Sequence, residues 1–293
     1  MSRKLHKFQT VAEYQAYSAS TDYTTPCVAV VEENNVIYYD YGNNMPQVDF
    51  SSYKGEFQES SVGGDYYGKS AITKVNYISS GVTNMTNAFY GWSSLTEVTC
   101  EIPSGVTNLY QTFLDCTSLI NAPEIPNSVD NMYGTFCGCS SLVNAPSVIP
   151  DTVTNMDSTF YHCANIITAP DIPSGVKDII STFCGCYKLI TTPVISSGVT
   201  NMRQTFNDCS NIVTVPPIPS SVTNVSNTFF FCESLKEVTF LHITPPTYSE
   251  TLGFCPKLES IYVPDSAVED FKTATGWSQF ASKIKPLSEK PSE

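Results

Sequence analysis

Eleven cysteines and three histidines are the residues here whose types could do chemistry. A thiolate is a nucleophile and a soft metal ligand. Two Cys-Gly-Cys triplets, Cys137-Gly138-Cys139 and Cys184-Gly185-Cys186, together offer the four thiols of a structural zinc site. Cys163 directly follows His162, which suggests a thiol–imidazole pair. His6 and His242 stand alone, near the start and in a late connecting stretch. No nucleophile-elbow sequence and no phosphate-cradling glycine loop occur.

What these residues can do depends on the elements that carry them, and a repeat dominates the chain. Val-Thr-Asn-Met or a close variant starts at Val82, Val106, Val129, Val153, Val176, Val199 and Val222, in steps of 23 or 24 residues. Seven residues on stand Phe89, Phe113, Phe136, Phe160, Phe183, Phe206 and Phe229. Three further on come Trp92, then Cys116, Cys139, Cys163, Cys186, Cys209 and Cys232, and three beyond those a Leu or Ile. An eighth, degenerate unit keeps Leu252, Cys255 and Leu258. A coil this short cannot bury its own apolar side chains, so identical slots must stack into one core. Pro and Gly mark the corners. The slot Asn84, Asn108, Asn131, Asn155, Asp178, Asn201 and Asn224 reads as a buried polar ladder that satisfies backbone groups at a corner. The Thr before each Phe reads as similar turn or stacking work.

Placed in this frame, most of the cysteines are core residues. Trp92 occupies the slot once, which suggests that it selects bulk and apolarity rather than a thiol. The two Cys-Gly-Cys triplets fall two coils apart, about 9–10 Å at parallel-strand spacing. A zinc at ~2.3 Å from each sulfur cannot span that gap, so no metal is expected. Adjacent ladder thiols come near disulfide separations, yet few or no disulfides are expected. Cys163 points inward and is no nucleophile, which leaves His162 as a surface side chain. Neither a catalytic site nor a cofactor is expected.

The F-x-x-C-x-x-L core and the I-P-x-x-V corner resemble the BspA-like class of leucine-rich repeat over residues 78–262. The resemblance implies an α/β repeat fold: a right-handed leucine-rich-repeat solenoid of about eight 23-residue coils. It further implies short strands near V-T-N-M and L-x-x-A-P-x-I, with a helical or 3₁₀ turn over T-F-x-x-C-x-x-L. The Pro of A-P-x-I-P weakens the second strand, because Pro cannot donate to a ladder.

Residues 1–45 form a small α+β anchoring module. Thr10-Val11-Ala12-Glu13 is a capping box opening a helix to about Ser18. Val28–Val31 and Val36–Tyr39 flank an Asn34-Asn35 turn, as in a β-hairpin. Residues 46–77, rich in Ser, Gly and Tyr, form a linker or irregular cap. Residues 263–293 form a helical C-terminal cap and tail, with Asp265 as its N-cap. Val268, Phe271, Trp277, Phe280 and Ile284 would cover the end of the core. The run Lys7–Tyr14 with its hairpin resembles the N-terminal module of structural proteins from phages of gut bacteria.

With 15 Lys+Arg against 28 Asp+Glu, the net charge is −13, which argues against nucleic-acid binding. No apolar run is long enough for membrane insertion. The first residues, basic and then polar, lack the apolar stretch of an export signal, so no secretory route is expected. From Lys74 to Lys177 no basic residue intervenes, while Glu97, Glu101, Asp115, Glu124, Asp130, Asp151, Asp157 and Asp171 do. That half is a self-repelling surface or an attractor of basic partners or divalent cations. Tyr90, Tyr110, Tyr133, Tyr161, Tyr187 and Phe230, with Phe231 beside it, lean outward from variable slots and suit glycans or protein partners.

These features point to a non-enzymatic interaction protein. The first expectation is a phage structural protein, a head or tail fibre or surface appendage in the virion. Residues 1–45 would bind other virion proteins, and the solenoid would meet host-surface or mucosal glycans. Family-level expectation adds a homo-oligomer, often a trimer. The alternatives are a bacterial surface or secreted adhesin and a cytoplasmic interaction scaffold.

Overall fold

The computed structural model describes residues 82–291 without a break, together with 7–8, 27–31, 36–40, 73–75 and 78. From Lys74 onward the chain stacks on itself at the repeat spacing. Strand β4 (Lys74–Val75) pairs in parallel with β5 (Glu97–Val98), and the 2.7 Å Lys74–Glu97 ion pair spans the same step. The register therefore begins inside the segment that the sequence assigns to a linker, and Val75 is already buried.

Between the Asn and Cys slots the backbone alternates its hydrogen bonds. The N–H groups of Met85, Asn87, Phe89 and Gly91 donate to Asn108, Tyr110, Thr112 and Leu114 in the next coil, at 2.7–2.9 Å. Those of Ala88, Tyr90 and Trp92 donate three residues back within the coil. The helical or 3₁₀ stretch expected here is thus a series of tight turns. Left-handed residues explain the difference. The slot two before Phe (Asn87, Gln111, Gly134, Ser158, Ser181, Gln204, Asn227, Glu250) has φ of 50–58°. The slot two after it (Gly91, Asp115, Gly138, His162, Gly185, Asp208, Phe231, Phe254) has φ of 55–74°. No right-handed helix runs through such residues.

The expected strands shrink to single bridges, among them Asn84↔Asn108, Asn121↔Asn144 and Thr168↔Thr191. Pro123, Pro146, Pro170, Pro193 and Pro216 follow that second row of positions in the middle coils and remove the donor that would extend it. Where no Pro follows, ladders lengthen: β5, β6 (Glu237–Thr239) and β7 (Ser260–Val263).

The seven phenylalanines lie in single file. Successive rings from Phe89 to Phe229 stack at centroid separations of 5.3–5.8 Å, and from Phe113 onward they are within 11° of parallel. Met, Val and Leu/Ile files flank them at essentially zero exposure. The buried polar ladder is the Thr slot, not the Asn slot. Thr112, Thr135, Thr159, Thr182, Thr205 and Thr228 are all 0 % exposed. Each hydroxyl donates to a carbonyl of the preceding coil, as Thr112 does to Met85 (2.7 Å) and Thr205 to Ile179 (2.7 Å).

The Asn side chains are only half-buried, because each Oδ1 folds back onto its own chain. It accepts from the N–H two residues on, as Asn108 does from Tyr110 (2.8 Å) and Asn201 from Arg203 (3.1 Å). They do satisfy corner backbone, as an Asx turn. Asp178 is the exception: it is exposed, and the row of bridges breaks between Asn155 and Asp178. Asp157 of the previous coil accepts from the Ile180 N–H in its place, at 2.7 Å.

The N-terminal hairpin joins β2 (Cys27–Val31) to β3 (Val36–Asp40) in antiparallel register. The sequence reading missed β1 (Lys7–Phe8), which pairs in parallel with β2. The expected helix from Thr10 to Ser18 and the Asn34-Asn35 turn lie outside the described residues.

At the other end, α1 (Val268–Thr273) follows a 3₁₀ turn, Asp265–Ala267. Phe271 and Trp277 are 0 % exposed and pack against Phe240, with Trp277 5.1 Å from it edge-on; Phe280 is only half-buried. The indole N–H donates to the Pro246 carbonyl at 2.7 Å. Asp265 caps no helix; its carboxylate accepts from the Ser288 N–H, 3.1 Å away. The expected helical stretch through Ile284 is instead a 3₁₀ turn (Ser278–Phe280) and a strand, β8 (Ile284–Pro286). Strand β8 pairs in parallel with β7 and carries the 23-residue register one step further, filling the free edge that β7 presents.

Two substitutions rank these layers. Phe160→Ala opens a cavity in the middle of the file and should cost about 3–5 kcal/mol. Thr159→Val keeps the shape, and the Met132 and Met156 carbonyls retain backbone N–H partners, so its cost should be about 1 kcal/mol. Urea midpoints at constant slope measure both; equal costs would contradict the packing described.

Candidate functional site

In seven coils the Cys slot has one geometry. The thiols of Cys116, Cys139, Cys163, Cys186, Cys209, Cys232 and Cys255 donate to the Phe carbonyl of the preceding coil at 3.0–3.2 Å. The slot therefore uses a small apolar side chain that also carries a weak donor, which adds a role for the thiol to the expected bulk and apolarity. The ten cysteines from Cys100 to Cys255 are free. Burial pushes the thiol of Cys137 up to about 11, with Asp115 adding to it, that of Cys184 to about 11, with Asp208 adding, and that of Cys255 to about 11. Burial likewise holds Cys163 well above the ordinary thiol value. A buried, protonated thiol bonded to Phe136 is no nucleophile for His162. His162 itself is half-buried, edge-on to Tyr161 at 4.2 Å.

His242 is buried, unlike a side chain of an open connecting stretch. Its Nε2–H donates to the Val222 carbonyl at 2.7 Å, and Nδ1 has no partner among the described residues. Desolvation lowers its pKa. Among the described residues no group of three or more His, Cys, Asp or Glu could hold a metal ion.

The six outward aromatics come from three slots on the turn-bearing stretch of the coil. Tyr110 and Tyr133 stack face to face at 5.0 Å and 9°. His162 lies between Tyr161, at 4.2 Å, and Tyr187, at 6.4 Å. Phe230 belongs to a separate cluster with Phe231 and Phe254. Tyr90 stands at the start of the stack. The sequence thus named residues that the fold gathers into at least three groups, not one patch.

The sequence reading overlooked two features. In five successive coils the residue after the Leu/Ile slot is Ile120, Val143, Ile167, Ile190 and Val213, an exposed apolar column 37–57 % accessible. Its signal was five β-branched residues in a row at one repeat position. Phe254 is 65 % exposed and stacks on Phe231 at 4.6 Å. Its signal was a large aromatic in a slot otherwise filled mostly by Gly and Asp.

Stacked coils with an F-x-x-C-x-x-L core define a leucine-rich-repeat fold. Residues 60–189 and 154–275 match the BspA type leucine rich repeat region, in six copies. The chain belongs to the BspA-type leucine-rich-repeat family. Similar solved structures include a leucine-rich repeat protein from Bacteroides ovatus, 15 % identical over 84 % of this chain and 77 % of that one, with a TM-score of 0.46. A leucine-rich repeat protein of T. pallidum is 24 % identical over 56 % of this chain and 72 % of that one, with a TM-score of 0.40. One from Eubacterium ventriosum is 17 % identical over 90 % and 82 %, with a TM-score of 0.39. No curated protein matches the chain.

The thiols make stability pH-dependent in a definite direction. An unfolded chain releases thiol protons from about pH 8.5. The folded chain holds those of Cys137, Cys184 and Cys255 to about 11. The folded state binds more protons in that window, so its stability is full below it and falls as pH rises through it. Urea midpoints should drop between pH 8 and pH 10.5, and the triple variant Cys137→Ser, Cys184→Ser, Cys255→Ser should flatten the drop. A profile flat in the parent chain would contradict the burial of these thiols.

Proposed function

We propose that this chain is a non-enzymatic display protein, and that it serves in a phage particle as a head or tail fibre or surface appendage. The observation that carries the display reading is the division of labour within each coil. Phe, Thr, Cys and Leu/Ile slots are spent on stacking, while aromatic side chains such as the Tyr110–Tyr133 pair stand on the turn-bearing side. Flat rings presented on a rigid support suit sugar faces, so host-surface or mucosal glycans are the proposed ligands.

Two further features support the virion reading. Residues 7–8, 27–31 and 36–40 form a three-stranded sheet in the segment that resembles phage structural modules, suited to docking on other virion proteins. The ten free cysteines suit synthesis in a reducing compartment. The exposed Ile120–Val213 column supports self-association as a homo-oligomer.

Mass spectrometry of purified particles tests the location: the chain should be present, and deletion of residues 1–45 should remove it while leaving the solenoid folded. A chain confined to the cell envelope would instead make it a bacterial surface adhesin. Tyr110→Ala with Tyr133→Ala should lower glycan or cell binding about tenfold with little change in Tm. An unchanged binding curve would return those rings to packing.

A further inference from the structure

Near the C-terminal end of the stack lies an open groove of about 480 Å³. Phe231, Phe254, Tyr248 and Phe280 supply aromatic surface, and Glu233 and Glu250 supply carboxylates. Neither glutamate takes part in an ion pair among the described residues, and no Lys or Arg lines the groove. Phe230 meets Phe231 and Phe254 edge-on, at 4.5 and 5.4 Å. Its ring lies over Gly253: a Cβ there would come within 2.6 Å of the ring and 2.9 Å of a Glu250 carboxylate oxygen.

The backbone beneath these residues is strained. Phe231, Phe254 and Glu250 have φ of 59°, 55° and 50°. Earlier coils fill the Phe231/Phe254 slot with Gly, Asp or His, and a bulky residue in the left-handed region is an outlier with an energetic cost. Every coil is left-handed at these positions, so what marks the groove is residue type: two exposed Phe rings, at Phe231 and Phe254, where the same backbone elsewhere carries smaller residues.

The polar inventory selects the ligand. Gln279 already donates to the Gly276 carbonyl at 2.6 Å, and the Cys255 thiol to Phe229 at 3.0 Å. The two carboxylates and the ring faces outweigh the side-chain donors that remain, the second Gln279 amide hydrogen and the Tyr248 hydroxyl. A sugar hydroxyl needs donors as well as acceptors. A guanidinium or ammonium only donates, and it is drawn to aromatic faces and carboxylates alike.

We propose that the groove formed by Phe231, Phe254, Glu233 and Glu250 binds a cationic side chain, arginine or lysine, presented by a partner protein. This rests on the groove alone and stands whether or not the adhesion reading holds. The net charge of −13 assists approach, but the groove gives the contact its place.

Titration calorimetry of the full chain with the peptide acetyl-Gly-Arg-Gly-Arg-Gly-amide tests it, with the citrulline peptide as the neutral isostere and an oligosaccharide as the other ligand class. The Arg peptide should bind, and the citrulline peptide and the oligosaccharide should not. Glu233→Gln with Glu250→Gln should weaken binding at least about tenfold, whereas Asp171→Asn, in the acidic half, should leave it unchanged. Phe231→Gly with Phe254→Gly should lose binding while Tm holds or rises, since glycine relieves the left-handed strain. A fall in Tm with binding retained would make the rings structural. Equal loss from Asp171→Asn would reduce the effect to bulk charge, and oligosaccharide binding abolished by the same glycine pair would reassign the groove to carbohydrate; each overturns the proposal.

Discussion

Every coil must meet the next in register, and the hydrogen bonds that enforce this come from both backbone and side chain. Alternate N–H groups reach forward to the following coil, while Thr hydroxyls and Cys thiols reach back to the Met or Phe carbonyl of the preceding one. The same carbonyls also close turns within their own coil, as Phe89 does for Trp92. A slip by one residue would bury turn side chains and expose the Phe file, so the polar and apolar ladders fix one alignment together. Neither alone suffices: a single coil has no core, and unsatisfied buried carbonyls would be costly.

That alignment explains the residue choices in the slots. Thr and Cys are small enough to form buried files of their own and still offer a donor to the coil behind. The Asn slot sits at the rim, where an amide can close its own turn and water can reach the rest of it. Proline limits the strands in the middle coils by removing a donor, and the ladders lengthen again where Pro is missing, at β5, β6 and β7. The end of the stack is treated differently: β8 adds a partner strand to β7, and Phe271 with Trp277 covers the last apolar layer beside Phe240.

With the interior committed to stacking, function is left to the outside of the coils. There the surface is uneven. A stacked tyrosine pair, an exposed β-branched column and an aromatic, acidic groove occupy different slots, and only in the groove does Phe fill a left-handed position. A bulky ring where the same backbone elsewhere carries Gly, Asp or His is a costly choice of the kind a protein keeps for recognition. Among the described residues no helix is long and apolar enough to cross a membrane.

The repeat period, the Phe, Met, Cys and Leu files and the family resemblance were all legible from spacing, because a fixed period forces like slots together whatever the coil's detailed path. The N-terminal hairpin was legible too, from two β-branched runs about an Asn pair. Side-chain orientation within the coil was not. Periodicity places Asn108 and Thr112 in files of their own, but only the folded turn decides that Thr112 is buried and Asn108 lies at the rim. The left-handed residues at Gln111 and Asp115 decide it, since they turn a would-be helix into successive corners. The groove is only partly tertiary: Phe231 and Phe254 share a slot one period apart, but Tyr248 and the terminal Phe280 join them through the fold alone. A linear period specifies which residues stack, whereas the dihedral angles of a few corner residues specify which way each side chain faces.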